Sequence, residues 1–398
     1  MARAYQPRRF FRQAPNRLLS RYFAARNVLA DVDFNALSET QVEPIYEAWL
    51  KLPEDARNEM EQDFQDIDDL ATEGGARAIL DEARWHGEDL GEQFAKLTGF
   101  HEHAFWTLLE RPKYWPGALA FHHADTVPSS YWRKRKNVPR KPANHDLNSP
   151  EVRQLEQSIS TYFHKMQGRG ENCKVECYRR GDHDYFFAYP EDYAQASVEW
   201  VGKEFKRRPH HPAFEIIFVY SQCEGTLDIY MTGNRKSVPD LQAIFAGAIL
   251  KAQLGPAEKD ERVYDLNPVR SRHFQFLYDP ESGIADVAVR KLRLKVHGKN
   301  ERLILEADPS NNKLAVFDLL DKVTKAIPLS QLSVTQVGIK VTFVQNAGAK
   351  RLTSRSFDIN WPNSCSLKHD GRDRIIRKML ADSGLEPIER TQQERAAE

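Results

Sequence analysis

Apolar residues recur at helical spacing through the first third of the chain. Val42, Ile45, Tyr46, Trp49 and Leu50 follow the i, i+3, i+4, i+7, i+8 pattern of one buried stripe, with Ser38 and Gln41 placed before them as a capping box. Pro53 opens a second helix. There Met60, Phe64, Ile67 and Leu70 keep the stripe while Glu59, Glu61, Asp63, Asp66, Asp68 and Asp69 fill the other face. The pair Gly74-Gly75 predicts a break before a third helix carrying Ile79, Leu80 and Ala83. Residues 1–130 are therefore expected to form a helical domain.

The period changes past residue 150. Ser149-Pro150-Glu151 combines an N-cap, a first-turn proline and a dipole-favoured acid, and Val152, Leu155, Ile159, Tyr162, Phe163 and Met166 supply the inward stripe of the helix they start. Strand-like runs follow at 173–179, 185–189, 197–206, 214–221 and 226–232, and a second helix carries Leu241, Ile244, Phe245, Ala248 and Ile249. The polar stretch 251–262 contains Gly255-Pro256 and predicts a boundary. Beyond it, strands are expected at 284–296, 302–307, 337–345 and 353–361, then a helix over 372–383 stopped by Gly384, and a frayed tail from Glu389. Strands that follow one another through short turns pair antiparallel. The expected class is α+β: a helical domain over 1–130, a basic proline-containing linker over 131–149, an α+β unit over 150–252 and a β-rich unit with a C-terminal helix over 263–388.

Composition adds little and charge distribution adds more. Hydrophobic residues make up 41 % and charged residues 29 % of 398, which excludes wholesale disorder and a mini-protein. Basic and acidic groups balance at 57 each, so net charge favours no partner. Their placement is uneven. Residues 1–30 hold seven arginines and no acid, residues 31–95 hold 4 basic and 19 acidic groups, and residues 133–142 hold 6 basic groups and no acid. An arginine-rich start without acids is also transit-peptide-like, but Pro7 and Pro15 interrupt it and Ser20 is its lone serine or threonine, so it is expected to belong to the fold. No run approaches the 18 apolar residues of a membrane span, and Cys173, Cys177, Cys223 and Cys365 are too few and scattered for a disulfide framework. The expected location is the cytoplasm, with no membrane partner.

The most informative segment is Val289 to Val296, where period-two alternation sends Leu292, Leu294 and Val296 to one face and Lys291, Arg293 and Lys295 to the other. Same-face residues on a strand stand about 6.6 Å apart, close to the phosphate spacing of an extended single strand, so such a row tracks a backbone without reading bases. Further basic groups join it: Arg8, Arg9 and Arg12 beside Phe10 and Phe11; Arg133, Lys134, Arg135 and Lys136 beside Tyr131 and Trp132; Lys206, Arg207 and Arg208; and Lys350-Arg351 with Arg355. These point to a non-enzymatic nucleic-acid-binding or adaptor protein, with the acidic helices of 31–95 contacting either a protein partner or the molecule's own basic arm. A protein scaffold whose basic groups are solvated surface is a further alternative.

Enzymatic signals are sparse. No P-loop, dinucleotide-binding or hydrolase-elbow pattern occurs, and no cofactor is expected. His101, His103, His122 and His123 form two clusters without metalloprotease spacing, and neither metal ligands nor catalytic residues are assigned. Asp192 with Glu204-Phe205-Lys206 resembles the Asp…Glu-x-Lys core of restriction-type nucleases, which implies a divalent-metal nuclease as the alternative function. His297-Gly298-Lys299 similarly resembles the His-x-Lys start of the phospholipase D superfamily, with Ile304 where that pattern has aspartate.

Overall fold

The computed structural model describes all residues except 1–4, 256–262, 345–352, 369–370 and 387–398. Arg3, Lys350, Arg351, most of the 251–262 boundary and the tail from Glu389 thus lie outside the described residues. Among the described residues helices combine with three antiparallel sheets, so the class is α+β with a helical N-terminal region. By contacts the chain divides into two compact units. One comprises 1–127, 176–185 and 191–214, and the other 128–175, 186–190 and 215–398.

The first unit holds α1 (Pro7–Gln13), α2 (Asn16–Ala25), α3 (Glu43–Leu50), α4 (Glu54–Leu70), α5 (Glu73–Trp85), α6 (Gly91–Phe94), α7 (Phe100–Glu110) and α8 (Trp115–Thr126). Their inward stripes meet in an aromatic core. Phe10 stacks on Phe64 with centroids 4.5 Å apart, and Phe11, Tyr22 and Phe23 pack edge-on or tilted around the same ring. All four apolar positions expected on α4 are buried. Two local expectations shift. Ser38 N–H does donate to Gln41 Oε1 at 2.9 Å, yet the helix begins later, at Glu43. Gly74 and Gly75 do not separate helices but lie in the first turn of α5, where Thr72 Oγ1 accepts from Gly75 N–H at 3.0 Å. Gly75 is required there, since a Cβ would fall 2.1 Å from the Leu70 carbonyl oxygen.

The second unit holds α9 (Pro150–Gln167) and α10 (Val238–Ala248) with a five-stranded sheet, and α11 (Ala315–Thr324) and α12 (Gly371–Asp382) with another. The first sheet comprises β1 (Trp132–Arg135), β2 (Cys173–Arg180), β3 (His183–Pro190), β6 (Ile216–Ser221) and β7 (Thr226–Met231), ordered β1-β7-β6-β3-β2. Residues 176–185, the outer part of the β2–β3 hairpin, count with the first unit. Phe245 of α10 stacks on Phe218 of β6 at 5.2 Å and meets Phe186 of β3 edge-on. The basic stretch 131–149 therefore supplies a strand, paired antiparallel with β7 so that Lys134 faces Asp228.

The second sheet comprises β8 (Ile284–Val296), β9 (Arg302–Glu306), β10 (Leu332–Phe343), β11 (Thr353–Asn360) and β12 (Ser364–Cys365), ordered β12-β11-β10-β8-β9. Leu292, Leu294 and Val296 sink into a core with Val337, Ile339, Val341 and Phe357, as the alternation requires. The remaining strands, β4 (Gln195–Val201) and β5 (Glu204–His210), form a two-stranded sheet among the described residues and belong to the first unit. The single strand expected over 197–206 is thus a hairpin. Gly202, at φ 62°, takes the first place of a two-residue turn that folds the run back on itself.

Candidate nucleic-acid interface

The N-terminal arginines are largely occupied within their own unit. Arg8 pairs with Glu43 at 3.2 Å and Arg26 with Asp63 at 2.6 Å, while Arg9, Arg17 and Arg21 pair with Asp68, Glu102 and Glu110. Phe10 and Phe11, which lie between Arg9 and Arg12 in sequence, are core residues and present no ring to a ligand. Arg12 stays exposed and has no ion pair among the described residues. The acidic helices thus hold the basic arm of the same molecule.

The second basic run turns inward. The Arg133 guanidinium donates to the carbonyls of Ser130 at 2.9 Å and Trp132 at 2.5 Å, and burial, with Arg235 nearby, lowers its pKa. The Lys134 side chain is 3 % exposed and its ammonium meets Glu386 at 2.7 Å and Glu224 at 3.4 Å. Burial acts to depress the Lys134 pKa, but the carboxylates of Glu386, Asp228 and Glu224 outweigh it and the net shift is upward. Arg135 is buried, bonded to Gln242 and the Gly255 carbonyl. Lys136 is half-buried and also has partners. Strand pairing places Lys134 beside Asp228, which makes this run a buried ionic centre of the second unit.

The β8 face keeps free cations at one end. Arg290 is the extra residue of a bulge in β8, opposite the Gly338–Ile339 step of β10, and its side chain pairs with Glu306 at 3.1 Å and Asp358 at 2.8 Å. Lys291 reaches the same Glu306 at 4.0 Å. Gly338 makes room for this cluster, because a Cβ would fall 2.8 Å from both Asp358 Oδ1 and Lys291 Cβ. Toward the other end Lys295 stands opposite Arg302 of β9, with Arg293 two residues along. Arg293, Lys295 and Arg302 have no ion pair among the described residues. Like charges placed directly opposite repel, so this end gains from an anion laid across it. Arg302 is the residue that sequence reasoning missed. The signal was present, since a short turn after β8 folds a basic residue back beside Lys295.

Arg207 and Arg208 lie on opposite faces of the β4–β5 hairpin. Arg208 pairs with Glu199 at 3.3 Å, while Arg207 is exposed with no ion pair among the described residues. Glu204 adjoins the turn and pairs with Lys206 at 2.5 Å, whereas Asp192 sits at the base, its N–H bonded to the Pro212 carbonyl at 2.6 Å. Six residues of strand, about 20 Å at 3.3 Å per residue, separate the base at Gln195 from the turn at Val201. Asp192 and Glu204 are thus not brought to one metal-binding position. His297 and Lys299 are likewise engaged locally, with Ser333 and with Glu301.

His101 bonds to Asp68 at 3.1 Å, and His103 bonds to the Phe94 carbonyl at 3.0 Å and stacks on the Phe94 ring. His122 and His123 of α8 also have partners. Among the described residues no group of three or more His, Cys, Asp or Glu side chains is placed to hold a metal ion, and no helix is long and apolar enough to cross a membrane. Comparison of the chain with protein-family models, curated proteins and solved structures gave no match.

Proposed function

We propose that the protein is a non-enzymatic nucleic-acid-binding or adaptor protein of the cytoplasm, which holds a phosphate backbone on the free end of its β8–β9 face. The observation that carries this is the uncompensated trio Arg293, Lys295 and Arg302, gathered on two adjacent strands while the acids of that face are spent on Arg290 and Lys291. Strand spacing matches an extended backbone, and a flat row of cations reads charge rather than sequence. The acidic helices serve to anchor the basic arm, which removes Arg8 and Arg9 from the ligand-facing set. Four free cysteines, with burial lifting the Cys365 thiol to about 11, suit a reducing compartment. The test is a salt titration of binding to a labelled single strand. Three neutralised phosphates predict about a 20-fold loss of affinity between about 50 and 200 mM salt. Absent or salt-independent binding contradicts the proposal.

A further inference from the structure

We infer that the β4–β5 hairpin is a stacking platform for the unpaired bases of a nucleic-acid strand, with Trp200 and Phe205 taking the bases and Arg207 a phosphate. The inference rests on the nucleic-acid reading above and adds to it a contact with bases.

The register sorts the hairpin into two faces of different chemistry. Directly opposed residues of an antiparallel pair share a face. Val198 with Arg207 and Trp200 with Phe205 therefore lie on one side, and Glu199 with Lys206 and Val201 with Glu204 on the other. On the second side the charges cancel, through Glu204 with Lys206 and Glu199 with Arg208. On the first side Arg207 faces no acid among the described residues, and two large rings stand in solvent, Trp200 67 % and Phe205 55 % exposed. Their centroids are 5.4 Å apart at 64°, an edge-to-face arrangement in which the edge of one ring meets a face of the other and the two rings do not stack.

An apolar partner surface accounts for the rings but not for an uncompensated guanidinium between them and the strand ends. A ligand that is both aromatic and anionic satisfies all three groups, and an unpaired nucleic-acid strand is that ligand. Every base offers a π-face, so such a platform tolerates sequence. Lys203, exposed in the turn, adds a second cation at the tip.

The experiment compares the full-length protein with Trp200→Ala, Trp200→Phe and Phe205→Ala. The probes are labelled oligodeoxythymidine of about 20 nucleotides, longer than one platform needs, and an abasic strand of equal length. The hairpin buries little, so these variants fold. Trp200→Ala and Phe205→Ala are expected to lose about 5- to 150-fold in affinity for the base-bearing strand, with the abasic strand and the salt slope unaffected and Trp200→Phe retaining most of the binding. Wild-type affinity in both alanine variants, or an equal loss on the abasic strand, overturns the inference and leaves the sheet-face proposal standing. A dimer that Trp200→Ala dissociates without altering strand binding assigns the rings to a second copy of the chain and also overturns it. Failure of the wild type to bind either strand at about 50 mM salt removes both proposals.

Discussion

Replacing Lys134 by Met removes one ammonium while keeping most of the side-chain volume, and it separates a structural lysine from a ligand-binding one. In the folded protein that ammonium lies among Glu386, Glu224 and Asp228, with its side chain 3 % exposed. Asp228 is raised by burial despite Lys134 and Arg377, and Glu386 is lowered because those two cations outweigh its burial. Breaking a buried ion pair from one side costs about 3–5 kcal/mol, since the partner charge stays desolvated. Arg377 still compensates part of it, which places the expectation at the lower end. A unit of about 240 residues shifts by roughly 2–4 °C per kcal/mol, so the melting temperature should fall by about 6 to 12 °C. Thermal and urea denaturation followed by circular dichroism measure it. A second substitution, Glu386→Gln, should recover part of the loss, as coupling within one cluster requires. Nucleic-acid affinity of the folded variant should be unchanged. A loss under about 1 kcal/mol, or a fall in affinity without a fall in stability, would refute the burial argument.

Three further outcomes follow from local geometry. Gly117→Ala puts a methyl 2.4 Å from the Glu82 carboxyl carbon, so it should destabilise the first unit by about 1–3 kcal/mol, measured by urea denaturation. Burial raises the Glu82 pKa despite its bond to His86. The folded state therefore holds a proton that the unfolded state has released between that raised value and 4.5, and stability rises as pH falls through this window. Glu82→Gln should abolish that rise in melts taken across the window. Asp68→Asn weakens the contacts of both Arg9 and His101, and since its carboxylate is largely buried the cost should exceed that of an exposed pair, about 1–3 kcal/mol by the same denaturation assay.

Where one face of an element is buried, local pattern sufficed. The strand expected over 284–296 is Ile284–Val296, because Leu292, Leu294 and Val296 alternate against cations. The helix expected after Ser149 is Pro150–Gln167, with Val152 N–H bonded to the Ser149 hydroxyl and Gly168 at φ 68° closing it. Pattern failed in two physical situations. Ala196, Val198 and Trp200 alternate with polar residues along β4, but β5 is mostly charged and both faces of the hairpin are largely solvated, so the run reads as one strand and Gly202 is the signal of the turn within it. The run from Arg133 to Lys136 reads as a ligand-facing basic linker until a partner 252 residues from Lys134, Glu386, closes over it. Local sequence carries no trace of such a contact. The cationic row was visible at Lys291, Arg293 and Lys295, but its division into a neutralised end and a free end depends on Glu306 and Asp358 from neighbouring strands.

The most direct measurement is the salt slope of single-strand binding for the triple variant Arg293→Gln, Lys295→Gln, Arg302→Gln beside wild type. Leu292, Leu294 and Val296 still hold β8 in its core, so the variant should fold with small stability changes. Removing three phosphate contacts should flatten the slope of log K against log salt by about two units and weaken all sequences alike. A folded variant with the wild-type slope and affinity would show that the β8–β9 face is solvated surface and that the protein does not hold nucleic acid there.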